Sequence, residues 1–238
     1  MLIESSLAIS SIVVLLKPLL KNKNIIGCLA SFGVNPTHNS ITRCISYDIF
    51  QRDPIFKAFT PDIKETIVEN KGDYFICKFT EDKIPAQSLC LYRTNVLQSL
   101  FREEYHLMDN DVPILLVKKG YNLFAFCPKV RIYHLLLKDL KELFKKRMKG
   151  ALRTYMANFP KREYKWFNFR KKRNFFLLGL WVIYANLILP AAIYGIYKSI
   201  KNRDPACMAE PAITLVSTDS LIYAFLKSGA GLKSLLKM

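Results

Sequence analysis

Acidic and basic side chains at three places in the sequence could do chemistry. Asp109 and Asp111 stand in a turn that opens a predicted helix, His134 follows a predicted strand, and Lys145 and Arg147 lie in a predicted basic helix. A carboxylate at a helix N-terminus is held by backbone N–H groups and can accept a proton as a general base. Arginine binds phosphate through a planar fork of donors. The alternative is structural: the aspartates only cap a helix, the histidine only starts one, and the basic side chains face solvent or lipid headgroups.

The cysteines do not suggest a metal site or a disulfide scaffold. None of them forms a Cys-x-x-Cys pair, and they are scattered along 238 residues. This pattern favours buried free thiols. The six cysteines are Cys28, Cys44, Cys77, Cys90, Cys127 and Cys207.

The elements that would position these residues alternate between helices and strands, which predicts an α/β fold. Helices are predicted over 7–20, 94–101, 111–119 and 135–158. Strands are predicted over 25–30, 73–79, 88–92, 121–126 and 130–133, with Pro128 between the last two.

Five sequence features follow one another from residue 92 onward. They are a strand ending in Tyr92-Arg93-Thr94, the acidic turn Met108–Pro113, the Lys118-Lys119-Gly120-Tyr121 turn, the strand Pro128–His134 and the basic segment Leu143–Met148. This order resembles the C-terminal half of a family 2 glycosyltransferase of the GT-A type, over residues 1 to about 170. The resemblance implies a partial GT-A-like, Rossmann-like domain at 1–137, followed by C-terminal membrane helices.

The resemblance also implies roles for individual residues. Asp111 would be the base that takes the proton of the acceptor hydroxyl; Asn110 departs from the family's acid pair, and Asp109 is the acid that could substitute. His134, Arg147 and Lys145 would lie near the donor diphosphate.

The donor side of the family is not recognisable in this sequence. A complete enzyme would hold Mg or Mn on an Asp-x-Asp motif, and no such motif occurs before residue 26. We therefore expect a truncated or split chain that begins past the donor-metal site and is inactive alone. A separate chain would supply the nucleotide-binding half.

The charge distribution points to a membrane surface. The chain carries a net charge of +17, and residues 138–173 contain 14 Lys/Arg against 3 Asp/Glu. Residues 174–197 then form 24 consecutive uncharged positions, which predicts a transmembrane helix over 174–200. The 138–173 segment is predicted to form basic amphipathic juxtamembrane helices, which would bind anionic lipids.

The remainder, 201–238, contains a second apolar segment, 211–226, and a basic tail. That segment either returns through the membrane or lies at its surface. The positive-inside rule predicts a cell-membrane protein with residues 1–173 in the cytoplasm.

These features predict a membrane-associated inverting glycosyltransferase that moves sugar from a nucleotide donor to a lipid-linked or polysaccharide acceptor. The alternative is a non-catalytic membrane-anchored module with a basic surface for lipid or nucleic acid. Nucleic acid is the less favoured partner, because the aromatic and basic cluster at 164–170 lies directly before the apolar run.

Overall fold

The computed structural model describes residues 9–48, 61–85, 90–98, 100, 111–133, 137–152, 163 and 172–229. The chain forms two compact units, residues 1–33 with 60–134 and residues 34–59 with 135–238. The predicted α/β class is confirmed. The helices are α1 Ile9–Lys21, α2 Ser40–Ser46, α3 Thr94–Gln98, α4 Asp111–Lys118, α5 Leu140–Gly150, α6 Lys172–Asn186, α7 Leu189–Asn202 and α8 Glu210–Lys227.

The first unit contains a five-stranded mixed sheet. Its strands are β1 Gly27–Phe32, β2 Ile67–Asn70, β3 Phe75–Lys78, β4 Cys90–Tyr92 and β5 Leu123–Ile132. They are arranged in the order β2-β3-β5-β1-β4, with β1 and β5 parallel and the other pairs antiparallel. The strand that follows α4 therefore runs through the centre of the sheet.

Alternate residues of the strands point to opposite sides of the sheet. Helices pack against the apolar side chains on both faces. On one side Leu15 and Leu19 of α1 pack with Cys28 and Ala125. On the other side Val96 of α3 and Leu116 of α4 pack against the opposite face. Phe79 and Phe124 stack there with ring centroids 4.3 Å apart. The unit is thus a three-layer α/β/α arrangement.

The structure has one strand where two were predicted around Pro128. Ala30 of β1 pairs with Cys127, but its neighbour Ser31 pairs with Arg131. Three residues, 128–130, therefore bulge out of the ladder within β5. Proline has no N–H to donate, so a bulge accommodates it without ending the strand.

The second unit is helical and is organised around α8. This helix packs against α2, α5, α6 and α7, together with a 3-10 helix at Pro205–Ala209. Its buried side chains include Ile213 and Ala224. The predicted start of α5 at residue 135 is wrong, because Asp139 caps the helix by accepting a hydrogen bond from the Glu142 N–H. Glu142 in turn accepts one from the Lys138 N–H, and these contacts fix the start at Leu140.

The continuous helix predicted over 174–200 is not observed. α6 ends at Asn186, α7 begins at Leu189, and their axes are bent by 78°. Pro190 explains the break, since its ring would clash with the carbonyl of Asn186 in a continuous helix and it has no N–H for that carbonyl. Ile188 at the break has φ +60°. Within the described part of the chain no single helix, α8 included, is long and apolar enough to cross a bilayer, whereas the bent pair together has the length and composition.

Candidate functional site

Asp111 is a buried carboxylate that opens α4 in the first unit. The helix ends in a tight turn at Gly120, whose φ of +88° favours glycine. The N–H of Gly120 donates to the Val117 carbonyl, and that of Tyr121 donates to the Leu116 carbonyl, both at 2.9 Å. This turn leads directly into β5, so Asp111 is placed by a helix that is fixed to the central strand. Its predicted companion Asp109 lies outside the described residues.

Two residues, Arg93 and Gly27, fix the start of β1. The Arg93 guanidinium donates to the carbonyls of Ile25 at 2.8 Å and Asn22 at 3.1 Å, and also to that of Leu19. It therefore binds the C-terminal end of α1 and is a structural residue. A side chain on Gly27 would approach the Cys90 sulfur to 2.8 Å, so β1 and β4 need glycine there to pack closely.

The two predicted phosphate-binding residues that the structure describes lie on α5 in the second unit. Lys145 is exposed and Arg147 is half-buried. Two residues apart on a helix, they point to different sides and do not form one cluster by themselves. Their neighbour Lys146 pairs with Glu142 at 2.9 Å. His134, the third predicted phosphate ligand, lies outside the described residues.

A buried ion pair in the second unit was not predicted from the sequence. The Lys198 Nζ of α7 lies 2.7 Å from Glu210 Oε2 of α8, and both side chains are almost completely buried. The Cys44 thiol donates to the same oxygen at 3.4 Å, and the Thr214 hydroxyl donates to Glu210 Oε1 at 3.4 Å. Such a pair cannot be read from spacing, because it depends on how three helices pack.

A second charged group lies around Asp204, just before the 3-10 helix. Its carboxylate accepts hydrogen bonds from Arg43, from the Tyr47 hydroxyl at 2.9 Å and from the Ala206 N–H at 2.9 Å. Burial alone would raise the pKa of Asp204, but these hydrogen bonds outweigh it and hold that pKa below its usual value. Burial and the bond to Asp204 raise the pKa of Tyr47 to about 12. The sequence Asp204-Pro205 predicts a helix start, but it does not predict that Arg43 of α2 and Tyr47, just after α2, bind Asp204.

The thiols do not form a nucleophilic site. Five of the six cysteines are buried, and Cys90 is half-buried. Burial raises the pKa of Cys28 to about 12 and those of Cys77 and Cys127 to about 11. Since the thiolate is the reactive form, these cysteines pack as small apolar residues at neutral pH.

The divalent-metal site implied for a complete enzyme is not formed by the residues that the structure describes. Across those ranges, no three His, Cys, Asp or Glu side chains are grouped as ligands. Asp111 is thus the single predicted catalytic residue for which an environment is described, and it belongs to the first unit while Lys145 and Arg147 belong to the second. Comparisons with protein-family models, curated proteins and solved structures found no match to this chain.

Proposed function

We propose that the chain is the acceptor-side part of a membrane-associated inverting glycosyltransferase. The observation that carries the proposal is the buried Asp111 carboxylate at the start of α4, which is joined through the Gly120 turn to the central strand β5. A GT-A-like fold is part of the proposal. It is supported by the order of elements: β4, α4, β5 and the basic helix α5 occur along the chain in the order of the sequence resemblance, with the short α3 between β4 and α4.

Asp111 would act as the general base. Its carboxylate takes the proton of the acceptor hydroxyl while that oxygen attacks the anomeric carbon of the donor sugar. The bond from that carbon to the nucleotide diphosphate breaks, and the diphosphate leaves with the electron pair. Positive side chains stabilise the leaving group because negative charge develops on it. The sequence resemblance assigns this role to Lys145, Arg147 and His134. Mg or Mn in a complete enzyme would supply the same neutralisation.

A second function is supported by a different observation. The helices α6 and α7 expose large apolar side chains between basic ends, which suits a non-catalytic membrane-anchored binding module. In that case Asp111 would only favour the start of α4, through its charge at the helix N-terminus.

Binding measurements on the detergent-solubilised full chain separate these functions. If the proposal is right, the diphosphate of UDP- or GDP-sugars binds weakly to this chain, because the nucleotide-binding half is expected on a separate chain. Its affinity falls in high salt, and replacing Lys145 and Arg147 together by glutamine weakens it further. Lys149→Gln is the matched control, because Lys149 is an exposed lysine at the end of the same helix. If the chain binds phosphatidylglycerol vesicles but does not bind sugar nucleotides, the anchored module is favoured. If the chain binds single-stranded DNA more tightly than it binds sugar nucleotides or vesicles, both functions are contradicted.

A further inference from the structure

An apolar stripe runs along the exposed face of the bent pair α6–α7. Its members recur at helical spacing of three or four residues on each helix and are 40–74% exposed. They are Phe176, Leu180, Ile183, Leu187, Leu189, Ile193, Ile196 and Ile200. The opposite face packs into the second unit through Trp181, Ala191 and Lys198, which are 5%, 0% and 5% exposed. The stripe is much larger than the scattered apolar residues normal for a water-facing surface.

Backbone hydrogen bonds reach into the break between the two helices from both sides. The N–H of Leu187 donates to the Ile183 carbonyl at 2.9 Å, and that of Ala192 donates to the Ile188 carbonyl at 2.8 Å. Pro190 has no N–H that needs a partner. The amide of the Asn186 side chain donates to the Val182 carbonyl at 3.0 Å. Backbone enters hydrocarbon only when its polar groups are satisfied, and these hydrogen bonds satisfy part of the break.

Charge is confined to the outer ends of the pair. Lys172 and Arg173 stand at the start of α6, and Lys201 and Arg203 stand at the end of α7. The one charged residue between them, Lys198, turns inward to Glu210. Both basic ends are thus suited to anionic headgroups, while the apex at 187–189 is apolar.

Because of the bend, the depth of the apex below the ends of the helix pair matches the thickness of one leaflet. At 1.5 Å per residue, the 15 residues of α6 and the 14 of α7 are about 22 Å and about 21 Å long. A symmetric V with a 78° bend carries its apex about 13 Å below its ends. One leaflet of a bilayer core of about 30 Å is about 15 Å thick.

From the stripe, the basic ends and the bend together we infer that α6 and α7 form a re-entrant membrane anchor. The apex at 187–189 inserts into the acyl chains of one leaflet of an anionic bilayer, and both basic ends stay on the same side. This goes beyond the proposed function and does not depend on sugar transfer, because an inactive chain would attach in the same way.

Cysteine labelling in membranes of cells that make the full chain tests the path of the helices. The variants Arg173→Cys and Lys201→Cys place thiols at the two ends, and Leu189→Cys places one at the apex. The parent chain, whose cysteines are mostly buried, gives the background. A membrane-impermeant maleimide should label both end positions from the cytoplasmic side, and it should label Leu189→Cys only after detergent. Labelling of the two ends from opposite sides would show a crossing, and labelling of the apex without detergent would show that it is outside the bilayer; either result overturns the inference.

A vesicle experiment identifies what covers the stripe. Leu189→Asp should reduce flotation with vesicles of phosphatidylcholine and phosphatidylglycerol by about tenfold or more. Leu20→Asp is the matched control, because Leu20 is an exposed leucine at the end of α1, and it should leave flotation unchanged. Circular dichroism verifies that both variants are folded. If Leu189→Asp instead changes the oligomeric state and leaves flotation intact, a second copy of the chain covers the stripe and the inference is wrong.

Discussion

At the residue scale, the packing of the second unit depends on buried charged side chains. Lys198 and Glu210 are separated by 12 positions and form a buried pair between α7 and α8. Removing two charges from water is costly, and their attraction and hydrogen bonds offset that cost only while both are present. The pair therefore fixes which faces of the two helices meet. Removing one of the two charges should lower the free energy of unfolding more than removing both.

Substitutions at this pair test that expectation. Lys198→Met or Glu210→Gln alone should lower the free energy of unfolding by about 3–5 kcal/mol, because each leaves an uncompensated buried charge. The double variant should lose less than the sum of the two single losses, because no charge remains unpaired. Urea unfolding in detergent, followed by tryptophan fluorescence, measures all three. Strict additivity of the two losses would contradict a direct pair.

Asp204 predicts a loss of stability in acid. Its pKa is lower in the folded chain, so its stabilising contribution is complete above the usual aspartate pKa of about 3.9. That contribution is lost as the pH falls through the folded value. Asp204→Asn should be less stable at neutral pH and should show a shallower fall in unfolding free energy below about pH 4. The control Asp139→Asn keeps a capping side chain on α5 and should leave the unfolding free energy at neutral pH nearly unchanged. Equal acid slopes in wild type and Asp204→Asn would show that its hydrogen bonds do not stabilise the fold.

How far the candidate site could be predicted differs from residue to residue. Asp111 as the start of a helix followed from local signals, namely an acidic turn, an apolar run and a closing glycine at 120. The ion pairs could not be predicted in this way, because Arg43 and Asp204 are 161 positions apart and meet through helix packing. A sequence pattern reports periodicity and caps, but not which distant charge faces which.

At the scale of elements, two of the differences from the predicted elements involve proline. Pro128 was expected to divide a strand, but a bulge in β5 accommodates its missing N–H and the strand continues. Pro190 lies within the membrane helix predicted over 174–200, but the helix breaks before it. The difference lies in the partner: a strand can shift its register against β1, whereas a helix has a fixed carbonyl four residues back.

Glycines in the bent pair give a matched test of its packing. A side chain at Gly195 would approach the backbone carbonyl oxygen of Cys207 to 2.9 Å, whereas one at Gly179 would meet nothing within 4 Å. Gly195→Ala should therefore lower the free energy of unfolding by about 1–3 kcal/mol through overpacking. Gly179→Ala should raise it by up to about 1 kcal/mol, since alanine favours the helix. Thermal unfolding in detergent compares them, and a gain in stability from Gly195→Ala would contradict the close contact between α7 and the 3-10 helix.

At the scale of the whole molecule, the two units would have separate roles under the proposed function. The first unit presents a buried acid on a helix fixed to a central strand. The second contains the basic helix α5 and the apolar pair α6–α7. A net charge of +17 further supports a location at anionic membranes. Under this proposal the second unit holds the chain at the headgroups, where a lipid-linked acceptor would be found.

The most direct test of the proposed function is sugar transfer in membranes of cells whose own copy of the chain is replaced by a variant. Incorporation of sugar from labelled UDP- and GDP-sugars into lipid and polysaccharide is compared between wild type, Asp111→Asn and Asp62→Asn. Asp62 is the control because it caps the 3-10 helix at Ile63–Thr66, and asparagine caps equally well. Asp111→Asn should lower the incorporation that depends on this chain by about 10²–10⁴-fold, while Asp62→Asn and the amount of folded protein stay unchanged. Equal incorporation with Asp111→Asn and wild type, or no incorporation that depends on the chain at all, would contradict the proposal.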